Sequence, residues 1–295
     1  MDNIKNTPPL FLTILSIKET LLAAKKVLLE VTDSPTLDAE LLLAHCLGKN
    51  RTYLHTWPES ELNKDTLDCF EALIKKRLTD YPVAYLLGRK PFWTLDLLVT
   101  PDVLIPRPET ELLVEVALEK IESIKKPKIL DLGTGSGAIA LALATERPDA
   151  TIIASDYSEK ALDIAKENAN RHELEKQLTF IQSDWFSHIK TSDFDLIVSN
   201  PPYISPNDPH LLESIRHEPL SALVAENSGM KDIEVITTKS PHFLRNEGWL
   251  IIEHGYDQSE ATFESFEANR FSHIQHRKDL NGNSRLSYAQ YIANA

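Results

Sequence analysis

Several kinds of residue and segment are scarce or absent in this sequence of 295 residues. The two cysteines, Cys46 and Cys69, both lie in helix-like segments, which predicts reduced core thiols and neither a disulfide nor a metal site. The ten histidines show no His-Glu-x-x-His or comparable spacing, so no metal is expected. No apolar run approaches the ~18 residues of a membrane span, and the first residues lack the basic stretch of a secretory signal. A cytoplasmic protein is therefore expected.

Basic residues are outnumbered, and the imbalance is uneven along the chain. The formal net charge is −13, yet residues 1–90 hold 12 basic and 12 acidic side chains. The whole excess of acids therefore lies in the remainder of the chain. A region this acidic is poorly suited to non-specific binding of a phosphate backbone, which disfavours a nucleic-acid partner without excluding one.

Glycine is also scarce, with nine in the whole chain, but Gly133, Gly135 and Gly137 fall within five positions. They follow the apolar run Ile129–Leu132, which predicts a strand, and precede a predicted helix that begins at Ala138. Glycines at such a turn allow the backbone to approach a bound ligand closely. The spacing fits the loose dinucleotide-binding fingerprint, and by itself it does not separate NAD from other nucleoside cofactors.

Acidic side chains at strand ends favour one cofactor. Asp131 stands just before the glycine loop, where an acid is unfavourable beside a pyrophosphate but suits an ammonium group. Asp156 ends the next strand and can accept hydrogen bonds from both ribose hydroxyls. Asp184 ends the strand after that and can reach an adenine amino group, while Trp185 packs against the ring. S-adenosylmethionine carries an ammonium, a ribose diol and an adenine but no phosphate, so the pattern predicts this cofactor.

The N-terminal region, residues 1–88, is predicted to form a small helical bundle. Apolar residues recur at helical spacing over Leu21–Val31, Thr36–Leu47 and Glu61–Leu78, and Gly48 ends the second helix. None of these stretches carries side chains at catalytic spacing. The region is either a structural cap or a substrate-recognition domain, and its residues alone favour neither.

A change of periodicity near Pro91 marks the end of the bundle. A hairpin is predicted from a strand over Phe92–Val99 that returns over Val103–Ile105. The segment Pro106–Glu111 then opens a helix, with proline and acids in its first turn. Arg107 and Glu109 either belong only to that turn or face the active site, and the sequence leaves both alternatives open.

Residues 107–295 alternate between strand-like and helix-like segments, which indicates an α/β domain with a mostly parallel sheet and helices on both faces. The predicted strands are Lys128–Leu132, Ala150–Ser155, Leu178–Gln182, Phe194–Ser199, Gly248–Glu253, Ser272–Arg277 and Arg285–Tyr291. The predicted helices are Ala138–Thr145, Glu159–Asn170, Asp232–Leu244 and Ser259–Ala268. Because only the tight turn Asn281–Asn283 separates the last two strands, the last strand must be antiparallel.

The predicted strand Phe194–Ser199 ends abruptly in Asn200-Pro201-Pro202-Tyr203. Prolines fix φ and cannot donate a backbone hydrogen bond, and the residue before a proline is kept extended. Asn200 is thereby fixed at the carboxyl end of a parallel strand, the edge at which open α/β sheets bind ligands. The Asn200 side-chain oxygen and the Pro201 carbonyl form a pair of acceptors, and Tyr203 adds a flat aromatic surface.

These motifs resemble those of known families. The glycine loop with its strand-end acids is similar to class I S-adenosylmethionine-dependent methyltransferases, which are Rossmann-like α/β proteins. Asn200–Tyr203 resembles the motif of enzymes that methylate planar nitrogens in DNA adenine, RNA guanine or glutamine. The further combination of a helical N-terminal region, a hairpin and the segment Pro106–Glu111 resembles the peptide chain release factor glutamine N5-methyltransferases (PrmC/HemK) over nearly the whole chain.

The resemblance implies an organisation and a set of residue roles. The organisation is a substrate-recognition domain of residues 1–88, a β-hairpin linker of residues 89–106 and a methyltransferase domain of residues 107–295. Together with Asp184 from the strand-end pattern, the expected cofactor-binding residues are Gly133, Thr134, Gly135, Ser136, Gly137, Asp156, Asp184, Trp185 and Asn200. The expected substrate-binding residues are Asn200, Pro201, Pro202 and Tyr203, of which Asn200, Pro201 and Tyr203 are expected to be catalytic.

The implied reaction moves a methyl group from S-adenosylmethionine to N5 of the glutamine in the Gly-Gly-Gln motif of release factors and leaves S-adenosylhomocysteine. The expected partner is therefore a release factor, bound by a monomer without nucleic acid. One alternative is N6-adenine or N2-guanine methylation of DNA or rRNA, which the acidic charge disfavours. Another is a cofactor-binding adaptor without catalysis, which the intact Asn200–Tyr203 motif disfavours.

Overall fold

The computed structural model describes residues 15–208, 211 and 214–293. The chain divides into two compact units, Met1–Gly88 and Arg89–Ala295, and the second includes the hairpin segment. None of the described helices combines the length and the apolar character that a membrane crossing requires.

The first unit is helical, as predicted, and side-chain caps fix its helix starts. Its helices are α1 (Ile17–Leu28), α2 (Pro35–Leu47), α3 (Arg51–Thr56), α4 (Lys64–Arg77) and α5 (Val83–Leu87). At α1, the Ser16 hydroxyl accepts from the Glu19 backbone N–H and the Glu19 carboxylate accepts from the Ser16 backbone N–H. The Asn63 side chain caps α4 in a similar way, which is why this helix begins at Lys64 and not at Glu61.

The two cysteines of the first unit are not both core residues, contrary to the prediction. Helix α4 buries Leu67, Phe70 and Ile74 at helical spacing, and Cys69 lies off this stripe and is exposed. Cys46 on α2 is half-buried, and its sulfur lies 2.7 Å from the sulfur of Cys69, with both thiols free. Burial, aided by the neighbouring thiol, raises the pKa of Cys46.

The second unit is an α/β domain with a two-stranded and a seven-stranded sheet. Its strands are β1 (Arg89–Phe92), β2 (Leu95–Leu98), β3 (Lys128–Leu132), β4 (Thr151–Asp156), β5 (Leu178–Gln182), β6 (Phe194–Ser199), β7 (Leu244–Glu253), β8 (Phe271–Lys278) and β9 (Ser284–Tyr291). Its helices are α6 (Glu111–Ile121), α7 (Ala138–Glu146), α8 (Glu159–Arg171), α9 (Lys231–Lys239) and α10 (Ser259–Ala268).

The strand order of the large sheet creates a topological switch beside the glycine loop. The order is β5-β4-β3-β6-β7-β9-β8, and β9 alone runs antiparallel to the others. The sheet therefore extends from β3 through β4 in one direction and through β6 in the other, and Leu132 pairs with Ser199 at the carboxyl ends of β3 and β6. Ligands of open α/β sheets bind outside such strand ends. The mostly parallel sheet with an antiparallel last strand is as predicted.

Apolar side chains on both faces of the sheet explain why its central strands are continuous hydrophobic runs. On one face, Ile129 and Leu196 belong to a buried cluster with residues of α6 and α7. On the other face, Ile197 belongs to a second cluster with Ile233 of α9 and Phe266 of α10. This two-sided burial fixes the ends of β3 and β6, and with them the two loops that follow.

The hairpin differs from its predicted form. Strand β1 pairs with β2 around Trp93, whereas a single strand over Phe92–Val99 that returns over Val103–Ile105 was predicted. Trp93 has a φ of 55°, and its backbone N–H donates to the Glu111 carboxylate at 2.8 Å. Because the turn lacks the glycine or asparagine that usually signals a tight hairpin, and its partner lies 18 positions further on, no local pattern indicates it.

The boundary between α9 and β7 also differs from the prediction of a helix over Asp232–Leu244. Helix α9 ends at Lys239, because Pro241 cannot donate the next helical hydrogen bond. Strand β7 then begins at Leu244, opposite Phe194, with an irregular register before its main pairing with β6. The predicted strand covered only the regular part of β7.

Candidate active site

The glycine loop after β3 and the segment that begins at Asn200 after β6 lie side by side, because β3 and β6 are neighbouring strands. Gly133, Gly135 and Gly137 have φ values of 72°, 57° and 86°, a left-handed conformation that side chains with a Cβ rarely adopt. The Gly133 backbone N–H donates to the Ser155 carbonyl at 2.9 Å. The loop is thereby fixed to the end of β4.

A cavity of about 280 Å³ opens at this edge of the sheet, near the lower end of the roughly 300–1,000 Å³ of small-molecule sites. Of the predicted residues, its wall contains Gly133, Gly135, Asp156, Asp184, Trp185, Asn200 and Pro202. Among the wall residues not predicted are Asp102, Val103, Pro219, Ser221 and Asp232. Two of these, Pro219 and Ser221, belong to the long loop between Tyr203 and α9, and loops of such length are usually functional.

Three predicted cofactor-binding residues are not part of the cavity wall. The Thr134 hydroxyl donates to Asp131 Oδ2 at 2.6 Å, and Ser136 is buried, with its carbonyl accepting from Asn168 Nδ2 at 2.9 Å. Gly137 is the N-cap residue of α7. These three residues shape the loop from within, and their contacts with the cofactor stay a prediction.

Asp131 does not border the cavity, which corrects its expected contact with a cofactor ammonium group. Its side chain is fully buried, and Oδ1 has no hydrogen-bond partner among the described residues. Burial raises the pKa of Asp131 to about 7, although the hydrogen bond from Thr134 lowers it. A strand-end residue can face either the ligand or the core, and this one faces the core.

Asp156 is oriented by the backbone around it. Its Oδ2 accepts from the Gly135 N–H at 2.9 Å and its Oδ1 from the Ser158 N–H at 2.9 Å. Burial raises the pKa of Asp156, and these two hydrogen bonds oppose the rise. Each carboxylate oxygen can accept a second hydrogen bond, so Asp156 remains able to accept from two hydroxyls of a ligand.

Trp185 supplies a flat apolar part of the cavity wall. Its ring lies over Gly133, where an added Cβ would be 3.6 Å from the ring. The Trp185 indole Nε1–H donates to Asp232 Oδ1 at 3.1 Å, which fixes the plane of the ring. Burial raises the pKa of Asp232, and the Trp185 hydrogen bond lowers it. Asp232 opens the first turn of α9, and nothing in its local sequence indicates this contact.

The Asn200-Pro201-Pro202-Tyr203 segment presents the acceptor pair that the sequence predicts. Asn200 Nδ2 donates to the Thr110 hydroxyl at 3.2 Å. No described residue donates a hydrogen bond to Asn200 Oδ1 or to the Pro201 carbonyl. Tyr203 packs against the apolar cluster that lies on the α9 and α10 face of the sheet, and burial raises the pKa of its hydroxyl.

Comparison with known proteins identifies the family. Residues 19–88 match the PrmC N-terminal domain family, and residues 108–226 match the methyltransferase small domain family. A release factor glutamine methyltransferase of Coxiella burnetii is 46% identical over 94% of this chain and 99% of its own length. The protein of that name from Escherichia coli K12 is 44% identical over 89% of this chain and 95% of its own length. This chain belongs to the release factor glutamine methyltransferase family.

These matches confirm the family and the fold class that the sequence predicts. Among solved structures, the T. thermophilus 16S rRNA methyltransferase RsmC, in complex with AdoMet and guanosine, matches with a TM-score of 0.51 at 18% identity. The match covers 69% of this chain and 49% of that one, and at this identity it shows the shared fold alone.

A buried acid that belongs to none of the sequence motifs lies close to Asn200. Glu253 ends β7, the neighbour of β6, and is 3% exposed. Burial raises the pKa of Glu253 to about 7. Hydrogen bonding by Thr110, the charge of Arg285 and hydrogen bonding by Asn200 lower it, and the charge of Glu109 adds to the rise.

Gln258 contacts the other end of the same motif. Its Nε2 donates to the Tyr203 carbonyl at 2.9 Å and to the Ser228 carbonyl at 3.1 Å, while its Oε1 accepts from the Gly255 N–H at 2.8 Å. The backbone at Gly229 passes so close to the Tyr203 carbonyl oxygen that a Cβ at this position would clash with it. The segment after β7 is therefore connected to the Tyr203 end of the Asn200–Tyr203 motif.

Arg107 and Glu109, whose roles the sequence left open, take different positions. Arg107 forms an ion pair with Glu218, whose carboxylate also accepts from the Ile105 N–H at 3.0 Å. This pair ties the segment before α6 to the long loop that forms one wall of the cavity. Glu109 acts on the active site through its charge, which raises the pKa of Glu253.

Proposed function

We propose that this chain transfers the methyl group of S-adenosylmethionine to the side-chain amide nitrogen, N5, of the glutamine in the Gly-Gly-Gln motif of peptide chain release factors. The observation that carries this proposal is the acceptor pair of Asn200 Oδ1 and the Pro201 carbonyl, to which no described residue donates. The pair lies at the end of β6 beside the cavity. The names of relatives that are 44–48% identical support the same substrate.

The charge and shape of the cavity fit S-adenosylmethionine. Asp102, Asp156, Asp184 and Asp232 all border it, and a wall rich in carboxylates attracts a positively charged ligand. Asp156 presents two oriented acceptors for a ribose diol, and Trp185 presents a flat surface for an adenine. When bound, S-adenosylmethionine supplies a methyl group on a positively charged sulfur.

The protein's own contribution is to orient a weak nucleophile. The lone pair of an amide nitrogen is delocalised into the carbonyl group. Asn200 Oδ1 and the Pro201 carbonyl each accept one N–H of the substrate amide, which raises the electron density of the nitrogen as positive charge develops on it. Tyr203 provides a flat surface for the amide plane. Fixing the nitrogen supplies the proximity effect. Its extra proton leaves after the transfer, so no general base is needed beforehand.

The direct test follows a labelled methyl group into candidate acceptors. The protein is incubated with methyl-tritiated S-adenosylmethionine and a release factor, and the matched control is a release factor whose Gly-Gly-Gln glutamine is replaced by alanine. We expect label in the first protein alone, with a mass increase of one methyl group on the glutamine peptide. Duplex DNA and rRNA are tested in parallel, and label found only in nucleic acid would refute the proposal.

We also propose that the first unit, residues 1–88, contributes to recognition of the release factor. Its surface carries Leu22, Leu29, Leu37 and Trp57, each at least 40% exposed, and exposed apolar side chains can provide contacts for a protein partner. Replacing Trp57 by alanine should raise the KM for the release factor and leave kcat unchanged. The exposed Leu280, in the second unit, gives the matched control. Equal KM values for the two variants would contradict this role.

A monomer that acts in the cytoplasm without binding nucleic acid completes the proposal. The net charge of −13 opposes binding to a phosphate backbone. Light scattering at micromolar concentration should give the mass of one chain. A duplex DNA probe at physiological salt should show no retardation by the protein.

A further inference from the structure

Glu253 is a buried acid that forms no ion pair within the described part of the chain. It is 3% exposed, and its Oε2 has no hydrogen-bond partner among the described residues. Arg285, a cation whose charge acts on it, forms its own ion pair with Asp279 at 3.2 Å. Burying a carboxylate without a cation destabilises a fold, so the presence of Glu253 at this place points to a role other than stability.

The neighbours of Glu253 define how the Asn200 amide is turned. The Thr110 hydroxyl and the Asn200 amide both act on the Glu253 carboxylate as hydrogen-bonding groups that lower its pKa, and Asn200 Nδ2 donates to the Thr110 hydroxyl at 3.2 Å. An ionised carboxylate only accepts, a hydroxyl carries one hydrogen, and an amide nitrogen carries two. Because one hydrogen of Asn200 Nδ2 points toward Thr110, the second can satisfy the unpartnered Oε2 of Glu253. The oxygen of Asn200 then points away from them.

We propose that Glu253 is a positioning residue, which fixes the orientation of the Asn200 amide so that its oxygen, and not its NH2 group, meets the substrate. This inference rests on the proposed function, because the substrate is taken to be an NH2 group. An Asn200 amide turned the other way would oppose its own NH2 to that of the substrate. The placement of Glu253 beside Asn200 agrees with the sheet register. Ser199 pairs with Ile252, and the residues that follow these two in the chain are Asn200 and Glu253.

If Glu253 had a purely structural role, Glu253→Gln would lower the melting temperature and leave turnover unchanged. Glutamine has the same shape as glutamate but carries no charge, so Glu253→Gln removes the desolvation cost and should leave the melting temperature equal or higher. The same change gives the residue a donor as well as an acceptor, so the Asn200 amide is no longer held in one orientation. A loss of turnover without a loss of stability is therefore the signature of positioning.

The experiment compares Glu253→Gln with Asp195→Asn in methyl transfer to a release factor. Asp195 is a matched buried acid at the opposite end of β6, where it accepts from the Lys128 N–H at 2.6 Å and forms an ion pair with Arg245 at 2.7 Å. We expect Glu253→Gln to lower kcat at least tenfold, with the Kd for S-adenosylmethionine within twofold of wild type and no fall in melting temperature. We expect Asp195→Asn to lower the melting temperature and to leave kcat unchanged.

A double-mutant cycle shows whether Glu253 acts through Asn200. In an Asn200→Ala background, Glu253→Gln should change kcat by less than twofold, because the amide it positions is gone. If Glu253→Gln lowers kcat equally with and without Asn200, or if the single variant has the kcat of wild type, the inference is overturned. The proposed function still holds in that case, provided that the wild-type protein methylates the release factor. If the wild-type protein methylates no release factor, the proposed function fails and this inference fails with it.

Discussion

Two asparagines of the second unit, Asn200 and Asn168, should respond to substitution by alanine in opposite ways. Asn200 is half-buried, and its side chain makes one hydrogen bond within the described part of the chain, from Nδ2 to the Thr110 hydroxyl. Asn168 is fully buried, and its side chain makes three bonds to the backbone, two with Leu98 and one with the Ser136 carbonyl. We predict that Asn200→Ala abolishes most catalysis and keeps the fold, whereas Asn168→Ala weakens the fold and spares catalysis.

The expected sizes follow from the bonds that each variant loses. At about 1 kcal/mol for each buried hydrogen bond, the three bonds of Asn168 amount to about 3 kcal/mol. In a protein of this size that lowers the melting temperature by roughly 6–12 °C. Asn200→Ala loses one bond in the free protein, yet one oriented polar group at a transition state is worth about 10²–10³ in kcat. Its melting temperature should therefore change little while kcat falls at least about a hundredfold.

The assay measures kcat at saturating S-adenosylmethionine and release factor, at a temperature at which both variants are folded. Calorimetric titration gives the Kd for S-adenosylmethionine, and a thermal scan gives the melting temperature. We expect Asn200→Ala to bind the cofactor nearly as wild type does. The reasoning is refuted if Asn200→Ala retains more than a tenth of the wild-type kcat, or if folded Asn168→Ala loses more turnover than Asn200→Ala does.

Buried groups near the motif predict three further outcomes. The kcat should fall as the pH drops below about 7, because protonated Glu253 becomes a hydrogen-bond donor and can then turn the Asn200 amide the other way. If the kcat of Glu253→Gln falls at low pH in the same way as that of wild type, this reasoning is contradicted. Gln258→Ala should lower kcat several-fold, because the Tyr203 carbonyl loses its hydrogen bond. Amide hydrogen exchange in the segment around Tyr203 should become faster in the same variant, and an unchanged exchange rate would count against the contact. Burial lowers the pKa of His254 from 6.5 to about 4, so its stabilising effect is complete above pH 6.5 and is lost as the pH falls toward 4. The unfolding free energy of wild type relative to His254→Phe should then drop by up to roughly 3 kcal/mol, and a difference independent of pH argues against a buried neutral ring.

The parallel half of the sheet could be predicted from the sequence because its signal is local. Strands buried on both faces are continuous apolar runs, and the bounds of β3, β5 and β6 agree with the prediction. The hairpin could not be predicted in the same way. Its turn depends on Trp93 in a left-handed conformation, stabilised by the carboxylate of Glu111 from a different element. Neither residue type signals a turn by itself.

The active site shows the same division between local and distant information. The glycine loop and Asn200 are short motifs whose backbone properties follow from glycine and proline, so their place at the strand ends could be predicted. Asp232 and Glu253 are ordinary acids in the sequence, and they gain a role only from the side chains that the fold brings next to them. Asp131 shows the reverse error, since its place at a strand end suggested a ligand contact but its side chain is in the core.

The polarity of the acceptor pair explains why the motif alone cannot define the reaction. An asparagine side chain has nearly the same shape in its two amide orientations, and only one of them offers an acceptor to a substrate NH2 group. Thr110 cannot decide between them, because a hydroxyl both donates and accepts. The ionised Glu253 can decide, because it only accepts. The prolines therefore fix where Asn200 stands, while a strand end more than fifty residues later sets which of its atoms faces the substrate. A variant that keeps Asn200–Tyr203 but loses the carboxylate should keep the shape of the site and lose its polarity.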